Sequence, residues 1–272
     1  MKPSLGIALW LSLVGAAFSW LSCTPGDITA TGPYNLGYGD SILYLRNQAD
    51  DYIVYPLEKR PGTYTGFPDG IEIDENSGAI NVSKSETGLR YRITHTAPGG
   101  TQTSVTVVLS GINFTDKFYR LSQHDSIAFP VYNALESRLL PVAGSVFDEG
   151  GQANGSGCDV KTVNGQINLA QSVRNGLFGN TPSNDDRRDI DIIYRLNDQS
   201  GKAVNKIRVR LYYYTSMATV APDLLQTLQD REELGVFLRS IPIISYPAAG
   251  IDHARLLREA RPRPPCVIII AN

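Results

Sequence analysis

From Ser41 onward, short apolar stretches alternate with clusters of turn residues. The pattern predicts strands over residues 42–45, 52–57, 71–74, 79–82, 89–96 and 103–110. Period-two alternation is clearest in the last two. Leu89, Tyr91 and Ile93 share one face opposite Arg90, Arg92 and Thr94, and Val105, Val107 and Leu109 oppose Thr106 and Val108. The A-P-G-G sequence at 97–100 reads as the hairpin turn that joins them. Shorter candidates follow at 126–132 and 139–142, then two long strands at 190–196 and 206–214. In these, Ile190, Ile192, Tyr194 and Leu196 fall on one face. Ile207, Val209, Leu211 and Tyr213 do the same, and Arg208, Arg210, Tyr212 and Tyr214 lie opposite them.

The β pattern stops at Pro222-Asp223, which opens an amphipathic stretch with Leu224, Leu228 and Arg231 on one stripe. A helix of about three turns is predicted there. A short helix is expected near 253–259, stopped by Pro262, Pro264 and Pro265. The run C-V-I-I-I from Cys266 reads as a buried strand that returns to the second sheet. One internal echo organises the chain: N-G-Q-I-N-L-A-Q-S at 164–172 parallels S-G-A-I-N-V-S-K-S at 77–85. A turn-rich stretch and two alternating strands follow each copy. The expected fold is therefore predominantly all-β, with two β-sandwich domains at 41–115 and 116–272. The second domain carries a helical segment and a final strand.

Composition adds one exclusion. Lys and Arg total 25 against 27 Asp and Glu, a net charge of −2. A nearly neutral chain lacks the field that nucleic acid requires, so none is expected as a partner.

The start of the chain changes the picture more. Lys2 precedes an apolar stretch over 5–21 that contains no acid, the layout of a signal peptide spanning 1–22. The residues Trp20-Leu21-Ser22-Cys23 resemble a bacterial lipoprotein cleavage box, although Trp20 and Leu21 depart from its commonest form. The resemblance implies lipidation of Cys23, which becomes the new N-terminus and anchors the chain to a membrane. Thr24, where inner-membrane retention usually resembles an Asp, makes the outer membrane the expected destination, facing either the periplasm or the exterior. Residues 23–40, rich in Gly, Pro and small polar residues, read as a tether.

A second resemblance rests on residues 68–93. Pro68, Gly70, Ile71, Ile73, Asp74, Ser77, Gly78 and Ile80, then Gly88, Tyr91 and Ile93, match a signature of the immunoglobulin-like (Ig-like) and cadherin-like modules of Bacteroidetes-type surface proteins. The similarity covers about residues 40–112 and implies Ig-like sandwiches. The local logic is physical: Asp74 and Ser77 can bond turn backbone groups, and Gly78 can take a positive φ.

Candidate chemistry is sparse. Metalloprotease, P-loop, nucleophile-elbow and Cys-x-x-Cys motifs are absent, and His95, His124 and His253 are widely separated. No catalytic residue, cofactor or metal ligand is expected, and the chain is not expected to be an enzyme. Asp185, Asp186, Asp189 and Asp191 could bind calcium, but Arg187 and Arg188 lie among them, which favours a charge-balanced loop. With Cys23 lipidated, Cys158 and Cys266 remain. They either form a disulfide in an oxidising compartment or are two buried thiols. Tyr212 and Tyr214 with Arg208 and Arg210 form a candidate binding face for a sugar or a protein, unless the downstream helix covers it. The expected function is a lipid-anchored envelope protein acting in binding, adhesion or structural support, with a protein or polysaccharide partner. The alternative is a carbohydrate-binding accessory lipoprotein of a nutrient-uptake system. A hydrolase within 116–272 is the third reading.

Overall fold

A computed structural model describes residues 34–233 and 264–272. The described chain is predominantly β. Its first half contains β1 (Ile42–Leu43), β2 (Ile53–Val54), β3 (Thr63–Phe67), β4 (Ile80–Asn81), β5 (Leu89–Thr96) and β6 (Gln102–Leu109). One sheet has the order β1-β6-β5-β3, and β2 pairs with β4 in a second, smaller sheet. The alternation in β5 and β6 sets the core between them: Leu89, Tyr91, Ile93, Val107 and Leu109 pack with Ile80, Val82 and Tyr64. The hairpin turn closes with Gly100 N donating to Ala97 O, 2.8 Å.

A two-stranded sheet of β7 (Ile112–Phe114) and β10 (Pro130–Tyr132), whose Ile112, Phe114 and Tyr132 pack in the core of the second half, brackets β8 (Lys117–Arg120) and β9 (Ile127–Ala128). Then follow β11 (Val146–Phe147), α1 (Gln152–Gly155), β12 (Asp159–Val160), β13 (Ile167–Asn168), α2 (Leu169–Arg174), β14 (Asp186–Arg195), β15 (Asn205–Tyr214), α3 (Pro222–Glu233) and β16 (Cys266–Ile270). The five-stranded sheet runs β11-β14-β15-β16-β8, and β12-β13-β9 forms the facing sheet. Ile190, Ile192, Tyr194, Val209 and Leu211 fill the space between these sheets together with Val267 and Ile269.

The echo seen in the sequence is a structural repeat. Val54 pairs with Ile80 and Ala128 with Ile167, each antiparallel, and Ile73 bridges Ile80 as Val160 pairs Ile167. Tyr64 lies opposite His95 and Phe147 opposite Tyr194. The caps repeat as well. Asn81 Oδ1 accepts from Lys84 N and Asn168 Oδ1 from Gln171 N, while Ser85 and Ser172 donate to the Asn81 and Asn168 carbonyls. Gly78 (φ 71°) and Gly165 (φ 70°) hold the same left-handed turn position. A Cβ there would come within 2.7 Å of the Tyr64 and Phe147 rings respectively, so both turns require glycine.

Polar contacts join the two halves. Tyr194 Oη accepts from Ile112 N at 3.1 Å and lies 3.3 Å from Thr87 Oγ1, which donates to Asn205 Oδ1. Asp198 Oδ2 accepts from Ser110 Oγ and from Tyr132 Oη. Burial pushes the Tyr194 hydroxyl up to about 12, so it stays protonated.

Three expectations are corrected. Residues 34–38, expected within the tether, are packed: Leu36 and Tyr38 are buried in the first core, and Tyr38 Oη donates to Gly78 O at 2.7 Å. Their apolar side chains outweigh the turn-rich composition around them. Neither 71–74 nor 139–142 forms a strand: Ile73 makes only an isolated bridge to Ile80, and Leu139 is 90% exposed because no neighbouring strand offers it a ladder. The strands β3, β7, β8 and β11 lie where none was expected. They are two to five residues long and owe their form to partners far along the chain. The helix expected at 253–259 falls outside the described residues.

Candidate functional site

The candidate face lies on the side of β14 and β15 that turns away from the central core. Antiparallel register sets Asp191 opposite Arg208 and Asp189 opposite Arg210. Each pair is bidentate. Arg208 donates to Asp191 at 2.6 and 2.9 Å, and Arg210 donates to Asp189 at 2.6 and 2.7 Å. Lys206 joins Asp191 at 3.4 Å. Hydrogen bonds from the arginines hold both carboxylates below their usual range, and the carboxylates raise both guanidiniums in turn. Asp189 was expected in a charge-balanced loop and Asp191 at the start of the strand over 190–196. They are strand residues in a charge ladder, and a D-x-D sequence facing R-x-R across a hairpin was the signal for it.

Tyr212 and Tyr214 continue the same face but are covered. Val220 and Leu224, with Leu228, pack α3 against Tyr212, Tyr214, Cys266, Ile268 and Ile270. Tyr214 is fully buried, and its hydroxyl donates to Asp185 Oδ1 at 2.6 Å. The four residues proposed as one face therefore divide. The tyrosines are part of a small second core, and only the arginines reach solvent. Arg187, Arg188, Asp189 and Arg210 line an open concavity of about 400 Å³. Arg187 makes no ion pair among the described residues, so this concavity carries more cation than anion.

The cysteines do not pair. Cys158 and Cys266 are both free and buried. Of the two alternatives, the structure shows two buried thiols on opposite sides of the sheet: Cys158 belongs to the core on one face and Cys266 to the α3-covered cluster on the other. Burial pushes the Cys158 thiol up to about 12 and the Cys266 thiol up to about 11, which favours the protonated form of both at neutral pH.

A buried clamp surrounds Cys266. Arg231, from α3, donates to both oxygens of Asp116 at 3.2 Å and to Pro264 O at 3.3 Å. Asp116 Oδ1 accepts from Cys266 N at 2.5 Å. Burial raises the Asp116 carboxyl, and the Arg231 charge and the Cys266 amide oppose that rise. The sequence placed Arg231 on the apolar stripe of the helix, but nothing in it marked Asp116.

Among the described residues no group of three or more His, Cys, Asp or Glu is placed to hold a metal ion. Asp185 is taken by Tyr214, and Asp186 caps Ser183 N. His95 is buried, its Nε2 3.1 Å from Pro61 O, and is wedged against Tyr34 and Tyr64. His124 ends a single 3₁₀ turn, and His253 and Cys23 fall outside the described residues. Among the described residues no helix is long and apolar enough to cross a membrane. No protein-family model matches the chain, and no curated protein is significantly similar to it.

Proposed function

We propose that the chain is a lipid-anchored protein of the cell envelope, at the outer membrane, whose two Ig-like modules serve binding, adhesion or structural support. The observation that carries this reading is the repeat itself. The connections of β2, β3, β4, β5 and β6 recur in β9, β11, β13, β14 and β15, so most of the described chain belongs to one β module used twice. Tandem β modules behind a signal-like start that ends in Cys23 are the layout of an anchored stalk or adaptor. The boundaries proposed are 41–115 and 116–272, with residues 34–40 belonging to the first module. The ligand-facing surface assigned here is the Arg187/Arg188/Arg210 concavity, whose chemistry suits an anionic group on a protein or polysaccharide. A sugar-stacking platform at Tyr212 and Tyr214 is not carried forward, because α3 lies on it.

Labelled palmitate tests the anchor. It should enter the wild-type protein in cells and not the Cys23→Ser variant, and the variant should move to the soluble fraction. Equal labelling of both would overturn the proposal.

A further inference from the structure

The two modules differ at one rung. In the first, β1 lies directly against β6 in parallel, with Leu43 opposite Leu109. Counted from the Tyr64–His95 and Phe147–Tyr194 pairs, the position that matches Leu109 is Leu211. Leu211 does not meet the module's first strand. Val267 of β16 stands between Leu211 and Lys117 of β8, parallel to both. The ladder that the first module closes on its own is held open in the second, and β16 fills the gap.

The filling strand and its slot separate cleanly along the sequence. Val267 and Ile269 enter the central core, and Cys266, Ile268 and Ile270 enter the cluster under α3. Its outward hydrogen bonds run to residues 116–231. Arg210 N donates to Pro265 O, Asp116 accepts from Cys266 N, Arg231 holds Pro264 O, and Ala271 N and Asn272 N donate to Tyr214 O and Thr215 O. The Asp116–Arg231 clamp thus belongs to the slot and grips the start of whichever strand enters. Thirty-two residues of sequence separate Glu233 from Cys266. At full extension a chain of that length spans about 110 Å.

We propose that the cleft between β8 and β15 is a strand-accepting site, and that its partner is the Pro264–Asn272 strand of a second copy of this chain. A second copy offers the same five side chains in the same register, so every contact made within one molecule is remade between two. Exchange then costs association entropy and no native contact. Reciprocal exchange gives closed dimers, and one-way exchange gives linear chains.

The test is a strand trap in the full chain. Arg120 and Ile270 lie opposite each other across β8 and β16. With Cys23→Ser leaving Cys158 and Cys266 as the native thiols, Arg120→Cys and Ile270→Cys place a disulfide on that rung. The protein is refolded from urea at a series of concentrations, oxidised and run without reductant. Covalent dimers or ladders whose fraction rises several-fold over a tenfold rise in concentration are expected. A crosslinked monomer at every concentration would overturn the proposal. Because Ile270→Cys removes buried surface, the unsubstituted protein is tested in parallel. Isotopically light and heavy samples are refolded together and examined by native mass spectrometry. Mixed-mass dimers are expected, and their absence at high concentration would equally overturn the proposal.

Discussion

The first module closes its main sheet with β1 against β6, whereas the second interposes β16 between the corresponding strands. The pairings of β3, β5 and β6 recur in β11, β14 and β15, and the glycine turns and the Asn–Ser caps recur with them. The comparison teaches that an edge rung of this module is negotiable while its turn and hairpin are not. The turn is fixed by φ at Gly78 and Gly165, a local constraint. The edge is fixed only by apolar side chains that any matching strand can supply.

The largest expected effect comes from removing the inserted strand. Deleting residues 264–272 takes the strand between β15 and β8 out of the five-stranded sheet and removes its side chains from the cores on both faces. Each of Val267, Ile268, Ile269 and Ile270 is fully buried, and such side chains contribute about 1.5–3 kcal/mol apiece, a sum of the same order as the stability of a domain. Thermal scans by circular dichroism should show the second module losing its cooperative transition while the first keeps its own. A truncated protein that melts as before would mean that β8 closes onto β15 and that the two modules are equivalent.

Next come the paired turns. Gly78→Ala and Gly165→Ala each force a Cβ onto an aromatic ring at positive φ. Each should cost about 2 kcal/mol in urea unfolding. Equal losses sharpen the equivalence of the modules, and a cost at one site alone would break it.

The junction between the halves is the third point of attack. Tyr194→Phe leaves the Ile112 amide and Thr87 without their shared partner. A loss of about 1–2 kcal/mol is expected, together with faster hydrogen exchange at Ile112. An unchanged exchange rate there would show that the halves do not lean on each other through this hydroxyl.

The smallest effect belongs to the charge ladder, which has no counterpart in the first module. Asp189 and Arg210 are each about a third exposed, so Asp189→Asn should cost less than about 1 kcal/mol. The sign with pH follows from the lowered carboxylates. Their contribution is complete above the unfolded carboxylate pKa of about 4 and fades as pH falls through the lower folded values. Urea midpoints measured from pH 6 to pH 2 should therefore fall less in the Asp189→Asn variant than in the wild type. Parallel curves would remove the ladder from the stability account.

Local periodicity was enough to place β5, β6, β14, β15 and α3, because alternation and helix starts are written in neighbouring residues. The nine-residue echo was enough to find the repeat, since the same turn needs the same glycine and the same cap. The apolar run at Cys266–Ile270 announced a strand covered on both faces. What covers those faces, and between which strands the run lies, was decided by the tertiary structure alone, because parallel partners carry no signal in the sequence between them. The same holds for the candidate face. Alternation put Arg208, Arg210, Tyr212 and Tyr214 on one side of β15, but the packing of α3 left the arginines in water and took the tyrosines out of it. It held for Cys158 and Cys266 too: the sequence left their pairing open, and the sheet set them on opposite faces.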